Sequence, residues 1–446
     1  MKKNSPIKVY LLSLGCAKNQ VDAEIMLGRL HEAGFQLTDE DIHADVAVVN
    51  TCGFIEDARQ EAVENIRDLA WLKKQGRLKG IVVTGCLAQR WGEEAPKLLA
   101  EADAWLGTGS YDEICQAVQA VYEGKPYFSL RPNEEYDFCG ERVRLSPEAW
   151  AYLKIAEGCD NRCAYCAIPS IRGGYRSRPM EGLLEEARQL AADGVRELIV
   201  VAQDITRYGE DLYGENRFCE LLEGLCQIEE LRWIRLHYLY PDRITEKLIG
   251  VLASQPKILR YLDIPVQHAS DRMLQAMNRR GTKAELEALF ARLREALPGV
   301  VLRTTVMVGF PGETNADFDE LLAFIKQVRF ERLGAFVFCP EEGTPAATMK
   351  GRVGEKTAKR RLERIMNEQY DIIREFNESR VGKVEEVLVE GWDTPAECWY
   401  GRSAADSPDV DGKVFFIAPR RPEEGEFVQV RIGSVMDYDV LGEMQG

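Results

Sequence analysis

Three cysteines lie close together in the chain, at Cys159, Cys163 and Cys166, in the spacing CxxxCxxC. Thiolates at this spacing can ligate one compact metal centre, and an iron–sulfur cluster is the natural candidate. Three ligands for four irons leave one iron open, much as a catalytic zinc keeps one position open for its reactant. The alternative is a zinc site completed by a distant cysteine or histidine. The pattern favours a reaction centre over a structural metal site.

A second group of three cysteines lies in the first hundred residues, where SLGC, NTCGF and VTGC contain Cys16, Cys52 and Cys86. Each of them ends an apolar segment that predicts a β-strand. Parallel strands deliver their carboxyl ends to the same edge of a sheet, where ligands bind in doubly wound folds. We therefore expect these cysteines to converge and to hold a second cluster. The alternative is that they are buried core thiols.

The elements that carry these cysteines form three segments. Residues 1–138 alternate strands with amphipathic helices and predict a doubly wound parallel α/β domain. Residues 139–379 resume this alternation in five or six units, which predicts a partial or full TIM-like α/β barrel with its active site after the strands. A long, charge-rich helix covers residues 355–379. Residues 380–446 contain short strands between Gly, Pro and Asp turns and predict a small antiparallel β-barrel of the OB kind.

Composition limits the function classes. The N-terminal apolar run is too short for a signal peptide or a membrane span, so we expect a cytoplasmic protein without a membrane partner. In that reducing compartment, the 12 cysteines are better interpreted as metal ligands or core thiols than as disulfides. With 57 basic and 73 acidic side chains the net charge is −16, which disfavours nucleic acid as the default partner.

The CxxxCxxC motif, with an aromatic residue before its last cysteine and a place after the first barrel strand, resembles the radical S-adenosylmethionine superfamily. In that superfamily the open iron binds the amino and carboxylate groups of S-adenosylmethionine, and an electron from the cluster cleaves the cofactor to a 5′-deoxyadenosyl radical. VAQD and VGFPGET lie at strand ends and resemble its cofactor-contacting loops. The resemblance implies that the cofactor contacts Tyr165, Gln203, Asp204, Gly309, Gly312 and Glu313.

Three arginines follow the motif in IRGGYRSRP, at Arg172, Arg176 and Arg178. Guanidinium groups bind carboxylates in a two-pronged manner, so these arginines could hold a carboxylate of the cofactor or of a substrate. The alternative is that they brace the loop.

The order of the three segments resembles the methylthiotransferase family over essentially the whole chain. The family implies two 4Fe–4S clusters, one of them an auxiliary cluster on Cys16, Cys52 and Cys86, and a terminal TRAM domain. LGCAKNQVDAE and YLDIPVQHASDRMLQAMNRRGT look like the branch that modifies an aspartate of small-subunit ribosomal protein S twelve. In that branch, one S-adenosylmethionine methylates the sulfur. A second gives the radical that removes a hydrogen from the aspartate β-carbon, with electrons from a separate donor.

Charge tests the choice of substrate. Residues 381–446 contain six Lys and Arg against fourteen Asp and Glu, a net of −8. Such a domain repels tRNA and attracts a basic protein, free or within the ribosome; the alternative is that its acidity only maintains solubility. The basic tract MKGRVGEKTAKRRLER, residues 349–364, is typical of a solvated helix face and could touch ribosomal RNA. Two rival functions stay open, a tRNA methylthiotransferase and a non-catalytic iron–sulfur carrier or scaffold.

Overall fold

The computed structural model describes residues 5–135 and 140–445 of the chain. The chain divides into two compact units. One unit holds the described residues up to Leu145, together with Glu157–Tyr175 and Glu341–Ala347. The other holds Ser146–Ala156, Arg176–Pro340 and the chain from Thr348 onward. The predicted domain boundary after residue 138 lies outside the described residues, and the three predicted domain ranges stay predictions.

The N-terminal part of the chain forms a six-stranded, wholly parallel sheet. Its elements are β1 Lys8–Ser13, α1 Ala17–Glu32, β2 Gln36–Thr38, β3 Val46–Thr51, α2 Glu56–Lys74, β4 Gly80–Gly85, α3 Cys86–Trp91, α4 Ala95–Leu98, β5 Ala104–Leu106, α5 Ile114–Tyr122 and β6 Tyr127–Ser129. The strand order is β2-β1-β3-β4-β5-β6. This confirms the predicted parallel α/β fold.

Helices cover both faces of this sheet, because successive residues of a strand point to opposite sides. Val46 and Val48 of β3 belong to a core cluster that includes residues of α1 and α5. Ala47 and Val49 belong to a second cluster that includes residues of α2. Every residue of β3 and β4 is buried, which explains why both strands are nearly continuous apolar runs.

The central part of the chain contains β7 Trp150–Lys154, β8 Ala156–Glu157, α6 Ile168–Arg172, β9 Arg176–Ser177, α7 Met180–Ala192, β10 Glu197–Val201, α8 Glu210–Tyr213, α9 Phe218–Cys226, β11 Trp233–Leu236, α10 Glu246–Ser254, β12 Ile258–Asp263, α11 Asp271–Ala276, α12 Lys283–Ala296, β13 Val301–Val308, α13 Asn315–Val328, β14 Arg332–Val337 and α14 Glu355–Arg380. Six of these strands form a parallel sheet in the order β14-β13-β12-β11-β10-β7. The sheet is open, so the structure agrees with the partial form of the predicted barrel.

The helices of this part start and stop at recognisable signals. Thr282 and Thr314 each cap a helix and are answered three residues later by Glu285 and Asp317, which forms a capping box at the start of α12 and α13. The predicted charge-rich helix is α14, which is 26 residues long. Among the helices of the described residues, none combines the length and the apolar character that crossing a membrane requires.

The C-terminal strands close into a five-stranded barrel. They are β15 Val384–Asp393, β16 Cys398–Ser403, β17 Val414–Ile417, β18 Phe427–Met436 and β19 Asp439–Met444, in the order β15-β16-β17-β19-β18. The pairing departs from the antiparallel prediction at one place, because β17 and β19 run parallel. Parallel neighbours require a crossover connection, and β18, which pairs with β15 and β19, is part of the crossover from β17 to β19.

The loop that follows β16 joins the barrel to the open sheet through buried polar groups. Asp406 binds Arg332 at the start of β14 and Arg380 at the end of α14. Asp411 accepts a hydrogen bond of 2.6 Å from the hydroxyl of Tyr261. These groups are fully or almost fully buried. Barrel and open sheet therefore belong to one compact unit rather than to two loosely tethered ones.

Candidate functional site

The group of cysteines in the first hundred residues, Cys16, Cys52 and Cys86, follows three neighbouring strands. Ser13 of β1 pairs with Asn50 of β3, and Asn50 pairs with Thr84 of β4, so the three strands end at nearly the same level. Cys16 precedes α1, Cys52 follows β3 directly, and Cys86 is the first residue of α3. The structure therefore places the three cysteines at one edge of the sheet. Their role as cluster ligands stays a prediction.

Two glycines allow the backbone segments of this edge to approach closely. Gly15 has a φ of +98°, and a β-carbon at this position would lie 2.7 Å from the β-carbon of Cys52 and 3.3 Å from its sulfur. A β-carbon on Gly53 would lie 2.8 Å from the carbonyl of Cys86. Only a residue without a side chain fits at either place. The cysteine-bearing loops are thus packed against one another.

Asn19, which sequence reasoning did not single out, connects the loops around these cysteines. Its side-chain amide donates to the carbonyls of Leu14 at 3.0 Å and of Thr51 at 2.9 Å. Its backbone carbonyl accepts a bond of 2.7 Å from the side chain of Asn50. Its oxygen Oδ1 lies 3.6 Å from the sulfur of Cys86. Its place three residues after Cys16, in LGCAKNQVDAE, could have drawn attention to it. Its contacts with Thr51 and Cys86 could not be inferred, because these residues are distant in sequence.

Arg172 also lies at this edge, although it belongs to the stretch after the CxxxCxxC motif. Its Nη1 binds the two carboxylate oxygens of Glu157 at 2.9 and 2.8 Å and pairs with Asp22 at 3.0 Å, while Nη2 donates to Oδ1 of Asn19. The side chain is 2% exposed. The guanidinium therefore binds carboxylates of the chain itself. This placement favours the bracing alternative over the capture of a cofactor or substrate carboxylate.

Burial and nearby charges act differently on the three thiols. Burial raises the pKa of Cys86 to about 12, against the lowering effect of the Arg172 guanidinium. Burial also raises the pKa of Cys52. At Cys16 burial acts in the same direction, but Lys18, Arg172 and backbone N–H groups outweigh it, so its pKa falls below the ordinary value. Because metal ligation requires thiolates, the predicted metal binding at this edge would release protons from Cys52 and Cys86.

The CxxxCxxC loop is held in shape by its own backbone. Cys159 donates its N–H to the carbonyl of Gly173 at 3.1 Å, and Cys166 donates to the carbonyl of Cys163 at 3.1 Å. Gly158 has a φ of +75°, and a β-carbon there would lie 2.0 Å from the carbonyl oxygen of Gly174. Cys159 and Cys163 are each 8% exposed, and Cys166 is half-buried. The loop presents one thiol more openly than the other two.

Both cysteine groups belong to the same compact unit, and α6 connects them. This helix starts two residues after Cys166 and ends at Arg172. Ala167 and Ile171, just before the helix and within it, pack against Cys86 in a small buried cluster. The helix that follows the CxxxCxxC loop thus packs directly against Cys86 of the other cysteine group.

Glu341 is a further buried residue of this unit that sequence reasoning missed. Its carboxylate, 2% exposed, binds Arg59 at 2.6 Å and Arg90 at 2.8 Å. Arg90 in turn donates to the carbonyl of Gly53, the residue after Cys52, at 2.8 Å. A segment distant in sequence therefore supports the loop of Cys52. No local pattern could have indicated this.

Zinc and an iron–sulfur cluster require different arrangements of their donor side chains. A zinc site gathers three or four side chains around one ion. Within residues 5–135 and 140–445, no group of three His, Cys, Asp or Glu side chains is arranged in that way. A 4Fe–4S cluster places each thiolate on a separate iron, so its ligands need not meet at one point. Each of the two groups offers three thiols, the donors that a 4Fe–4S cluster takes from cysteine, and cluster binding by either group stays a prediction.

The predicted cofactor loops lie in the other unit, after β10 and β13. Asp204 is fully buried and caps the following turn, where its Oδ1 accepts a hydrogen bond of 3.0 Å from the N–H of Thr206. Gln203, beside it, is half-buried. In the second loop, Gly309 and Gly312 adopt φ values of +78° and +82°.

Glu313 shapes the second of these loops from inside. Its side chain is fully buried, accepts from the N–H of Gly309 and pairs with Arg361 of α14 at 3.2 Å. The contacts of Asp204 and Glu313 are with the chain itself, and their cofactor role stays a prediction.

The remaining predicted site residues are divided between the units. Tyr165 is half-buried in the CxxxCxxC loop. Arg178 is buried in the other unit, where it donates to the carbonyl of Lys154 at 3.0 Å and pairs with Glu186. Arg176, at the start of β9, is half-buried. Their assignment as cofactor contacts stays a prediction.

Comparison with known families agrees with the three segments. Residues 8–107 match the uncharacterized protein family UPF0004, residues 153–325 match the radical SAM superfamily, and residues 381–444 match the TRAM domain. The matched ranges contain all six cysteines of the two groups. The predicted presence of a radical SAM domain and of a TRAM domain is confirmed, while their predicted bounds stay predictions.

Solved structures show the same fold at low sequence identity. A radical S-adenosylmethionine methyltransferase, TsrM, from Kitasatospora setae, solved with tryptophan substrate and a SAM analog, is 14% identical with a TM-score of 0.57. The comparison covers 88% of this chain and 80% of that one. A second TsrM structure, with cobalamin and a 4Fe–4S cluster, has a TM-score of 0.56 at 15% identity. These likenesses concern the fold alone.

Full-length relatives are much closer in sequence. The ribosomal protein uS12 methylthiotransferase RimO of Pelotomaculum thermopropionicum is 51% identical over 439 residues, which cover 98% of this chain and 99% of the relative. The protein of the same name from Desulforamulus reducens is 46% identical over 439 residues, which cover 98% of this chain and 99% of that relative. The chain belongs to the family of ribosomal protein uS12 methylthiotransferases, RimO.

Proposed function

We propose that this protein is a radical S-adenosylmethionine methylthiotransferase that adds a methylthio group to ribosomal protein uS12. This is the small-subunit ribosomal protein S twelve predicted as the substrate from the sequence. Relatives of this name match at up to 51% identity over nearly the whole chain. One observation carries the mechanism: two groups of three cysteines lie in one compact unit and are joined by the short helix α6.

The two groups would hold one 4Fe–4S cluster each. Cys159, Cys163 and Cys166 would bind the cluster that also binds S-adenosylmethionine. The cysteines at the strand ends would bind the auxiliary cluster that carries the sulfur to be transferred. When bound, the two clusters and S-adenosylmethionine supply the radical that takes a hydrogen from the aspartate β-carbon and the methylthio group that replaces it. No side chain is basic enough to remove a proton from such a carbon, which is why a cofactor is required.

The chain itself holds and shields these centres. Gly15 and Gly53 bring the three strand-end loops together, and Asn19 ties two of them by hydrogen bonds. Arg90 and Glu341 support the loop after Cys52. Cys86, Cys159 and Cys163 are nearly buried, which limits the access of water to a reactive centre.

The charge of the terminal barrel supports a basic protein as the substrate. Of the six basic residues counted there, Arg402 is buried between Glu197 and Glu390, and Arg420 pairs with Glu426. These two cannot serve a phosphate backbone without giving up their partners. The net charge of −8 over residues 381–446 is therefore hard to reconcile with RNA binding and suits a ribosomal protein.

The basic tract of residues 349–364 is only partly a free surface. In the structure it runs into α14, where Arg361 pairs with buried Glu313 and Arg364 pairs with Asp319 at 3.5 Å. The exposed basic residues of the tract could contact ribosomal RNA if the assembled ribosome is the substrate; they are Lys350, Arg352, Lys356, Lys359 and Arg360.

The function can be tested by offering the two candidate substrates to the protein in separate reactions. The anaerobically reconstituted protein receives S-adenosylmethionine, sulfide and a reductant, with either the aspartate-containing loop peptide of uS12 or unmodified tRNA. Mass spectrometry follows both products. A methylthio gain on the peptide alone is expected. A gain on tRNA alone would assign the chain to the rival substrate, and 5′-deoxyadenosine missing from both reactions would support the non-catalytic carrier.

A further inference from the structure

Arg172 is the cation that reaches the strand-end cysteines from the other cysteine group. It stands at the C-terminal end of α6, six residues after Cys166, yet its Nη2 donates to Oδ1 of Asn19, and this oxygen lies 3.6 Å from the sulfur of Cys86. It is 2% exposed. A buried charge interacts strongly with its neighbours because little water screens it. This inference rests on the proposed function, since it concerns the auxiliary cluster.

The contacts of Arg172 fix its position closely. One side of the guanidinium is anchored by Glu157 and Asp22, at 2.8 to 3.0 Å. The other side donates to Oδ1 of Asn19, whose amide nitrogen is held by two backbone carbonyls. The orientation of the Asn19 side chain is thereby determined. Its oxygen faces Arg172 and Cys86, and its nitrogen faces the strand ends.

Ligation changes what faces the sulfur of Cys86. A thiol can donate to Oδ1 of Asn19, which lies 3.6 Å away. A thiolate that binds iron has no proton to donate, and the buried guanidinium of Arg172, which reaches that sulfur through Asn19, is then a positive charge beside it. Hydrogen bonds to cluster sulfurs and the local charge are two of the factors that set the reduction potential of an iron–sulfur cluster.

We propose that Arg172 is a positioning residue of the auxiliary centre, which holds a buried positive charge close to Cys86 and so raises the reduction potential of the cluster bound there. Reduction adds one electron to the cluster: one Fe³⁺ becomes Fe²⁺, no bond breaks, and the net charge falls by one. A fixed cation stabilises that added negative charge. Removal of the cation therefore makes the cluster harder to reduce.

The test uses the full chain with Cys159→Ala, Cys163→Ala and Cys166→Ala, so that only the auxiliary centre can bind iron. Iron and sulfide are counted first. A redox titration with dithionite, followed by electron paramagnetic resonance, then gives the midpoint potential. Arg172→Met is expected to lower the reduced-to-oxidised ratio at a fixed potential about tenfold, which is about 59 mV for one electron. Arg172→Lys keeps the charge and is expected to stay near the parent.

Two further variants separate charge from packing. Arg142→Met breaks a different buried ion pair, between Arg142 and Glu24 of α1, and is expected to leave the reduction potential of the cluster unchanged. Glu157→Gln removes an anion beside Arg172 and is expected to raise the potential, opposite in sign to Arg172→Met. If Arg172→Met does not fold or bind iron, Glu157→Gln decides the question, because an unchanged or lower potential contradicts the proposal.

The outcomes distinguish this inference from the proposed function. If the parent with only the strand-end cysteines binds no iron, the auxiliary cluster of the proposed function is wrong. If it binds a cluster whose potential is the same in Arg172→Met, the cluster stands and the role of Arg172 is overturned.

Discussion

The oxygen Oδ1 of Asn19 lies 3.6 Å from the sulfur of Cys86, while the amide nitrogen of the same side chain is bonded to the carbonyls of Leu14 and Thr51. One amide thus joins a strand-end cysteine to the backbone next to the other two, Cys16 and Cys52. The spatial arrangement of the cysteine group depends on this residue as well as on the strands.

We expect Asn19→Ala to weaken iron binding at the strand-end cysteines. The change removes the donor to the buried carbonyl of Thr51, which costs about 1–3 kcal/mol in the free energy of unfolding, and the donor to the partly buried carbonyl of Leu14. Thermal melting of the apo protein and iron content after reconstitution provide the measurement. Gln20→Ala, which removes only a bond of 3.0 Å to Glu24, is the control. Equal iron contents in the two variants would contradict the role of Asn19.

Gly15→Ala is expected to abolish the auxiliary centre and to leave the other one intact. The added methyl group would lie 2.7 Å from the β-carbon of Cys52, and the φ of +98° adds backbone strain. Gly34→Ala is the matched control, since Gly34 has a φ of +86° and nothing within 4 Å of the added carbon. Gly34→Ala is expected to lower the free energy of unfolding by about 1 kcal/mol and to leave the iron content unchanged. Iron analysis compares the variants, and full iron binding by Gly15→Ala would refute the close approach.

Thiol reactivity in the apo protein should follow the pKa order of the strand-end cysteines. The pKa of Cys86 is raised to about 12 by burial, so about one molecule in ten thousand carries its thiolate at pH 8. The pKa of Cys16 lies below the ordinary value, so its thiolate is more abundant. Alkylation with iodoacetamide at pH 8, read by peptide mass spectrometry, should modify Cys16 well before Cys86. Equal rates would show that the described environment of Cys86 is incorrect.

Asp406→Asn is expected to destabilise the second unit by about 3–5 kcal/mol, because it leaves the buried guanidiniums of Arg332 and Arg380 without their shared anion. Those two cations lower the pKa of Asp406 in the folded protein, although burial opposes them. The stabilisation is therefore complete above about pH 4, the unfolded value, and is lost as the pH falls toward the folded value.

Thermal melting between pH 7 and pH 3 measures this effect. The difference between the parent and Asp406→Asn should shrink only at the acidic end. Asp437→Asn, at an exposed turn of the same barrel, is the control and should melt like the parent throughout. A difference that is constant with pH would contradict the ionised state of Asp406.

The sequence allowed prediction of the features that depend on local pattern. Cys52 and Cys86 follow strongly apolar strands, so their strand-end position could be inferred from their neighbours alone. The contacts of Arg172 and Glu341 could not, because each binds residues far away in the chain. The parallel pairing of β17 with β19 was also beyond reach, since barrel closure depends on the path of the loops.

The most direct test of the two-centre account is an iron count on three chains reconstituted anaerobically side by side. They are the parent, a variant with alanine at Cys16, Cys52 and Cys86, and a variant with alanine at Cys159, Cys163 and Cys166. We predict about eight iron atoms for the parent and about four for each variant, with a 4Fe–4S Mössbauer spectrum in all three. A parent with only about four irons, all of which disappear in one variant and stay in the other, would contradict the account.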